Sequence, residues 1–312
     1  MHFLITGGAG FIGSNITRRL VAEGYNVRIL DNFATGRREN IADLIDKIDL
    51  IEGDIRDITT VKISVKEIDY ILHQAASPSV MRSIIDPIST NNVNINGTLN
   101  ILIAARDEGV KRVVYASSSS VYGDTPTLPK NEDMEKNPLS PYAITKLVGE
   151  YYCKVFLNLY GVETVSLRYF NIFGPRQDPN SQYAAVIPIF INALIKNTPP
   201  PIFGDGEQSR DFTYVDNAVR ANIDACFAKD VGGEVFNIAC SESFTLNHLL
   251  DQLKKIMNKE VKPNYLSPRK GDIRHSLADI SKGKRLLGYN PDVHFHEGLK
   301  RTVEWYMSAQ NL

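Results

Sequence analysis

The stretch Gly7-Gly8-Ala9-Gly10-Phe11-Ile12-Gly13 constrains this chain more tightly than any other part of it. It lies between an apolar run, His2-Phe3-Leu4-Ile5-Thr6, and a helical segment through Arg18, Arg19 and Leu20 that stops at Gly24. Both GxGxxG (Gly8, Gly10, Gly13) and GxxGxxG (Gly7, Gly10, Gly13) spacings are present. Between a strand and a helix, such spacing serves a tight turn, close approach of backbone to a pyrophosphate, and close packing of helix on strand. The unpaired N–H groups and positive dipole end of the helix then face the phosphates. Asp31 ends a second β-rich run about 20 residues on, where a carboxylate accepts from ribose hydroxyls and repels a 2′-phosphate. NAD is therefore expected over NADP, with Arg37 and Arg38 in the following loop read as solvated surface.

A turn of this kind belongs to a parallel sheet, and the first half of the chain supplies the alternation. Residues 27–31, 49–51, 70–72 and 112–116 are short β-branched runs separated by helical or loop segments. Strands buried on both faces read this way, so an α/β fold with a doubly wound parallel Rossmann sheet is expected. Ser140 before Pro141 marks a helix start, and a further strand follows over 165–169. Residues 171–183 and 198–206, rich in Gly, Pro, Asn and Gln, are expected as loops on the ligand side. A helix over 216–227 and a strand over 235–239 are expected to rejoin the large sheet. Residues 245–258 and 297–307 read as amphipathic helices of a smaller C-terminal unit. The expected organisation is a dinucleotide-binding domain over residues 1–175, with 212–241 returning to it, and a smaller interleaved substrate domain over 176–312.

Composition narrows the partners. Among 312 residues, 35 Lys and Arg face 36 Asp and Glu, so the basic excess of a nucleic-acid or anionic-membrane binder is missing. No apolar run approaches the roughly 18 residues of a membrane span. The N-terminus, where a strand begins at once, lacks the basic and apolar regions of a signal peptide. Cys153, Cys226 and Cys240 are far apart and without CxxC spacing. They are expected as buried thiols of a reducing, cytoplasmic compartment, forming neither disulfides nor a metal site.

Tyr142-Ala143-Ile144-Thr145-Lys146 places a phenol and an ammonium at i and i+4, on one helical face. The ammonium, together with the positive charge of NAD⁺, is expected to favour phenolate and make Tyr142 a base near neutral pH. Ser117-Ser118-Ser119-Ser120 follows the strand ending at Ala116, which puts hydroxyls at the carboxyl edge of the sheet. Asp54-Ile55 after the third strand and Ala75-Ala76-Ser77 after the fourth are expected adenine and ribose neighbours.

With Asp31-Asn32, Asn94-Ile95-Asn96-Gly97-Thr98, Val121-Tyr122-Gly123 and Arg168-Tyr169-Phe170-Asn171 added, the chain resembles the extended short-chain dehydrogenase/reductase family. The likeness covers essentially its whole length and is specific to the nucleotide-sugar epimerases and dehydratases. The resemblance implies Ser118, Tyr142 and Lys146 as the catalytic residues. It implies NAD held by Gly7, Gly10, Phe11, Ile12, Gly13, Asp31, Asn32, Asp54, Ile55, Ala75, Ala76, Asn94, Tyr142 and Lys146. Substrate contacts are implied from Ser118, Ser119, Ser120, Tyr142, Asn171, Val186, Arg210, Arg269, Asp272 and Ser276. Two arginines can grip a diphosphate bidentately, and Asp272 can accept from a ribose hydroxyl. A homodimer is also implied, by pairing of residues 91–105 and 142–160 across a two-fold axis, although their apolar spacing equally allows internal packing.

Dehydratases of that family are similar in carrying an Asp-Glu pair after the catalytic serine or threonine, and its decarboxylases carry a glutamate nearby. Ser119-Ser120 offers no carboxylate. The resemblance thus implies reversible 4-epimerisation of a UDP-hexose through a 4-keto intermediate. Arg176-Gln177-Asp178-Pro179-Asn180 and Tyr183-Ala184-Ala185-Val186-Ile187-Pro188 look like the branch that handles UDP-N-acetylhexosamines. Ser119, where glucose-type relatives tend to have alanine, and Ser276, where strict glucose epimerases carry tyrosine, favour UDP-GlcNAc and UDP-GalNAc, with UDP-Glc and UDP-Gal alongside. A strict UDP-glucose 4-epimerase, a UDP-glucuronate epimerase or decarboxylase, and a non-catalytic NAD-binding sensor are the alternatives. His294-Phe295-His296 reads as a surface strand without a metal, His73 as a hydrogen-bonded packing residue and Cys153 as core.

Overall fold

The computed structural model describes residues 1–178, 185–268 and 273–309. Its central sheet contains β1 (His2–Thr6), β2 (Asn26–Asp31), β3 (Asp49–Glu52), β4 (Tyr70–His73), β5 (Arg112–Ser118), β6 (Thr164–Tyr169) and β7 (Val235–Ile238). All pairings are parallel and the order is β7-β6-β5-β4-β1-β2-β3. The chain builds outward from β1 in one direction, then crosses to β4 and builds in the other. The crevice above the carboxyl ends of β1 and β4 is therefore the switch point where doubly wound sheets bind ligands.

Alternate side chains of each strand feed two separate cores. Phe3 and Ile5 of β1 enter one, while Leu4 enters the other, and Val114 of β5 is likewise opposed to Val113 and Tyr115. This is why the strands read as continuous apolar runs rather than as alternating ones. On the Leu4 side lie α2 (Ile58–Val65), α3 (Gly97–Glu108) and α4 (Pro141–Tyr160). On the Phe3 side lie α1 (Phe11–Ala22) and α6 (Val215–Phe227). That second core runs on into a C-terminal unit containing α5 (Val186–Ile195), α7 (Leu246–Met257) and α8 (Phe295–Ala309). Cys153, Cys226 and Cys240 are buried free thiols. Among the described residues, no helix is long and apolar enough to cross a membrane, and no group of three or more His, Cys, Asp or Glu could hold a metal.

Two stretches expected as loops contain short strands. Ile172–Phe173 pairs with Thr213–Tyr214, and Pro201–Phe203 pairs with Asn264–Leu266. Each partner is distant in sequence, so local composition carries no trace of the pairing. The segment at His294 also departs from expectation, because Phe295 opens α8 instead of lying in a surface strand. Phe295 is fully buried and stacks on Phe244 with ring centres 4.3 Å apart, while His294 pairs with Glu242 at 3.1 Å. Polar–apolar–polar suits a strand edge and a helix start equally, and the aromatic cluster decides between them.

His73, at the end of β4, is fully enclosed. Thr98 Oγ1 donates to the Asn94 carbonyl (2.6 Å), so it must accept from His73 Nε2–H (3.0 Å). Nδ1 then accepts from Thr6 Oγ1 (2.7 Å), whose oxygen is engaged by the Ala75 N–H (3.2 Å). Burial, reinforced by the Lys146 charge, keeps this imidazole neutral and pushes its pKa down to about 3. The unfolded chain binds more protons between that value and the ordinary histidine pKa of about 6.5. The stability contributed by neutral His73 is thus present above about pH 6.5 and drains away as pH falls toward the folded value. His73→Gln should lose less melting temperature than the parent between about pH 7 and about pH 4.5. Equal slopes in thermal melts would remove His73 as a source of acid lability.

Candidate functional site

The first turn closes on itself before it meets any ligand. The Gly7 N–H donates to the Leu30 carbonyl (2.8 Å) and the Gly10 N–H donates to the Gly7 carbonyl (3.0 Å). A Cβ at Gly13 would stand 2.1 Å from the Gly7 oxygen, and one at Gly7 (φ +70°) would stand 2.8 Å from the Ala75 nitrogen. The glycines are therefore required by the approach of α1 and of the chain after β4 to the turn. Phe11 and Ile12 open α1 and are partly buried. Free N–H groups at this helix start face the crevice, which suits an anion.

Asp31 lies beside the turn, with Oδ2 accepting from the Ala9 N–H (2.9 Å) and Oδ1 from the Phe33 N–H (2.8 Å). Burial raises its pKa against those two bonds. Asn32 donates to Asp54 (2.7 Å), which Arg56 also grips (2.7 Å) and, as the larger influence, holds at a pKa of about 2. Ile55 is buried directly beneath Gly97. Arg37 and Arg38 are exposed, Arg38 pairing with Glu52 at 2.6 Å. Ala75 and Ala76 follow β4. Asn94, in a single π-helical turn over Asn92–Asn96, accepts from the Ser77 N–H (2.7 Å) and donates to Thr145 Oγ1 (3.0 Å). It ties the chain after β4 to α4, a common use of π-bulges at functional sites.

Ser118 ends β5, caps the turn Ser119–Tyr122 by accepting from the Ser120 N–H (3.2 Å), and stands near enough to Tyr142 to favour its phenolate. Tyr142 stands in the first turn of α4, which Ser140 caps by accepting from the Ala143 N–H (3.1 Å). Lys146 is buried one turn later, its Nζ donating to the Ala116 carbonyl (2.7 Å) and lying 5.9 Å from the Tyr142 ring centre. Burial brings Lys146 down to about 8. The expected lowering of the Tyr142 pKa by Lys146 is not what these groups produce: burial raises it, opposed by the neighbouring Ser118. The ammonium is directed at a backbone carbonyl, so desolvation of the phenolate prevails.

Ser118 pairs in register with Tyr169 of β6, and two residues beyond that partner Asn171 opens a cavity of about 240 Å³. Val186, Gln208, Arg210 and Phe212 also line it. Asn171 adopts φ +37° and donates to the Asp211 carbonyl (3.3 Å), while Arg210 donates to the carbonyls of Ser209 (2.9 Å) and Arg274 (3.3 Å). Ser276 is buried and donates its N–H to the Ser209 carbonyl (3.1 Å), which sets it beside the Arg210 strand. Ser119 is partly buried, and the enclosed Ser120 hydroxyl has no hydrogen-bond partner among the described residues. Arg269 and Asp272 lie outside the described residues. Gln208 escaped the sequence reading: it is buried, its Nε2 donates to the Phe203 carbonyl (2.6 Å), and its Oε1 is enclosed without a partner. A lone glutamine in a loop has no periodic signal; the pairings of Ser209–Arg210 with Phe244–Thr245 and of Ser209 with His275 fix this wall.

The NAD dependent epimerase/dehydratase family matches residues 3–239. A putative UDP-glucose 4-epimerase of Methanocaldococcus jannaschii is 41% identical over 304 residues, covering 97% of this chain and 97% of that protein. Among solved structures, the UDP-N-acetylglucosamine 4-epimerase of Methanobrevibacter ruminantium in complex with UDP-N-acetylmuramic acid has TM-score 0.95 at 41% identity, covering 99% of this chain and 98% of that one. The UDP-glucose 4-epimerase of Thermotoga maritima with UDP-glucose has TM-score 0.95 at 38% identity, covering 99% and 100%.

Gly13→Ala should weaken NADH binding by about 100-fold or more in a fluorescence titration, since the turn must open to admit the methyl. Gly24→Ala, where the added carbon meets nothing within 4 Å, should leave binding at the parental level despite its φ of +80°. Parental affinity in Gly13→Ala would show that the turn is not the dinucleotide cradle.

Proposed function

The chain belongs to the NAD dependent epimerase/dehydratase family, and from that premise we propose that it epimerises UDP-hexoses reversibly at C4. The observation that carries this reading is the placement of Ser118 and Tyr142 together at the carboxyl edge of the sheet, with Lys146 one turn on and only hydroxyls at Ser119 and Ser120 beside them. That set suffices to move a proton on and off one sugar hydroxyl. It holds no carboxylate there to drive elimination.

NAD fits the cradle, which leaves no room for a Cβ at Gly7 or Gly13 and presents the Asp31 carboxylate where a 2′-phosphate would be repelled. When bound, NAD supplies hydride acceptance and return at the sugar carbon. Ser118 and Tyr142 hold the C4 hydroxyl, and Tyr142 takes its proton on oxidation and restores it on reduction. Burial raises the Tyr142 pKa, so its phenolate would form where added positive charge offsets the desolvation. Lys146 has spent one N–H on Ala116, leaving two for a ribose hydroxyl pair. Asn94 steadies α4 against the cofactor loop, and Asn32, Asp54, Ile55, Ala75 and Ala76 border the adenosine half. Asn171, Val186 and Arg210 hold the nucleotide diphosphate end while the sugar turns over, with Arg269 and Asp272 assigned to the same end.

Ser119 and Ser276 support the N-acetylhexosamine reading: one offers a hydroxyl to an acetamido group, the other keeps the neighbouring wall small. Residues 1–175 with 212–241 serve the dinucleotide in this scheme, and 176–312 the sugar nucleotide. A cytoplasmic homodimer completes it. Exposed Ile84, Ile85, Ile88, Tyr151, Val155 and Leu159 form the apolar surface on and beside α4 that a second copy would cover.

Incubated separately, UDP-GlcNAc and UDP-Glc should both be converted to their C4 epimers, with no net change in bound-cofactor absorbance in steady state. Conversion of UDP-Glc alone would defeat the N-acetyl reading, and conversion of neither would defeat the epimerase. Tyr142→Phe should lose turnover by roughly 1,000-fold or more while retaining NAD; undiminished turnover would remove Tyr142 as the acid/base.

A further inference from the structure

Glu150 lies one turn beyond Lys146 on α4 and is enclosed, at 5% exposure, with Arg168 of β6 at 1%. Arg168 grips it bidentately, Nε to Oε1 (2.8 Å) and Nη2 to Oε2 (2.7 Å). Ser117 Oγ donates to the same Oε1. Arg168 Nη1 continues to the Tyr122 hydroxyl (2.7 Å), which donates to Asn237 Oδ1 on β7 (2.7 Å). One buried network thus joins α4 to β5, β6, β7 and the serine turn.

Stability alone is a weak reason for such a pair, because apolar residues of similar volume usually do as well or better. Geometry is a stronger one. Ser117 stands between Ala116, which accepts from Lys146 Nζ, and Ser118, which neighbours Tyr142. Tyr115 adds a bond from its hydroxyl to the Lys146 carbonyl (3.4 Å). Three consecutive residues of β5, Tyr115 to Ser117, are therefore each tied to α4, and the bidentate guanidinium fixes the carboxylate that Ser117 meets.

We propose that Glu150, Arg168 and Ser117 are positioning residues that set the register of α4 on β5, and so the meeting of Tyr142 with Ser118 and the aim of Lys146. None of the three touches substrate or cofactor in this scheme. The proposal rests on the catalytic roles assigned above to Ser118, Tyr142 and Lys146. A displacement on the order of 1 Å between such groups costs about 100-fold in rate.

Two variants separate positioning from folding. Ser117→Ala deletes one bond and leaves the ion pair intact. Glu150→Met combined with Arg168→Met replaces the pair by apolar volume. Each should lower kcat on UDP-hexose by about 10- to 100-fold with KM within about twofold. Melting temperature and NADH affinity should stay near the parent, and amide hydrogen exchange should quicken over residues 142–147 but not over 3–13. If the double variant does not fold, Ser117→Ala decides. Parental kcat and exchange in the folded variants overturn the proposal, as does a loss confined to KM or one that merely tracks melting temperature. A parent protein inactive on every UDP-hexose defeats the epimerase reading instead, and the exchange measurement still reports whether these residues hold α4.

Discussion

Close approach of backbone to backbone at the first turn is the constraint on which the rest of the structure depends. The Gly7 carbonyl meets the α-carbon of Gly13, and Gly7 itself meets the backbone of Ala75, at distances that exclude any side chain. The approach aims α1 at the crevice between β1 and β4, brings Ala9 to Asp31, and fixes where the chain after β4 must pass. Asn94 then carries that position across to Thr145 on the helix of Tyr142 and Lys146. The glycine turn and the helix of Tyr142 and Lys146 are thus joined through one set of contacts.

Charge is organised locally in a chain that is almost neutral overall. Thirty-six acidic residues against 35 basic ones leave no net positive charge, yet the inferred ligands both carry diphosphates. Helix-terminal N–H groups and Arg210 provide the positive field where it is needed, at the switch point and in the cavity beyond β6. Enclosure also works against the chemistry at one point, since it disfavours both the Tyr142 phenolate and the Lys146 ammonium. In the proposed reaction a tyrosine so placed would act as a base only beside added positive charge.

Much of the site was legible because its signals are local. Glycine spacing between a strand and a helix, an acid at a strand end, serines after a strand and a YxxxK step each declare themselves within a few residues. Other parts were illegible for the same reason. The short strands at Ile172 and Pro201 exist only through partners dozens of residues away. Phe295 enters a helix because Phe244 awaits its ring. Gln208 joins the cavity wall through a pairing that no periodicity announces. Glu150 gave no signal of its own and Arg168 only its place in the Arg168-Tyr169-Phe170-Asn171 run, since buried polar pairs obey no sequence pattern.

The sequence by itself determined the doubly wound sheet and a glycine turn suited to NAD, and it put forward the serine–tyrosine–lysine set, because backbone conformation and helical spacing are properties of neighbouring residues. Only the tertiary structure decided the protonation balance of Tyr142, the neutral state of His73, the walls of the cavity and the buried pair behind the catalytic helix. Those depend on desolvation and on contacts between remote segments, quantities that come into being when the chain closes on itself.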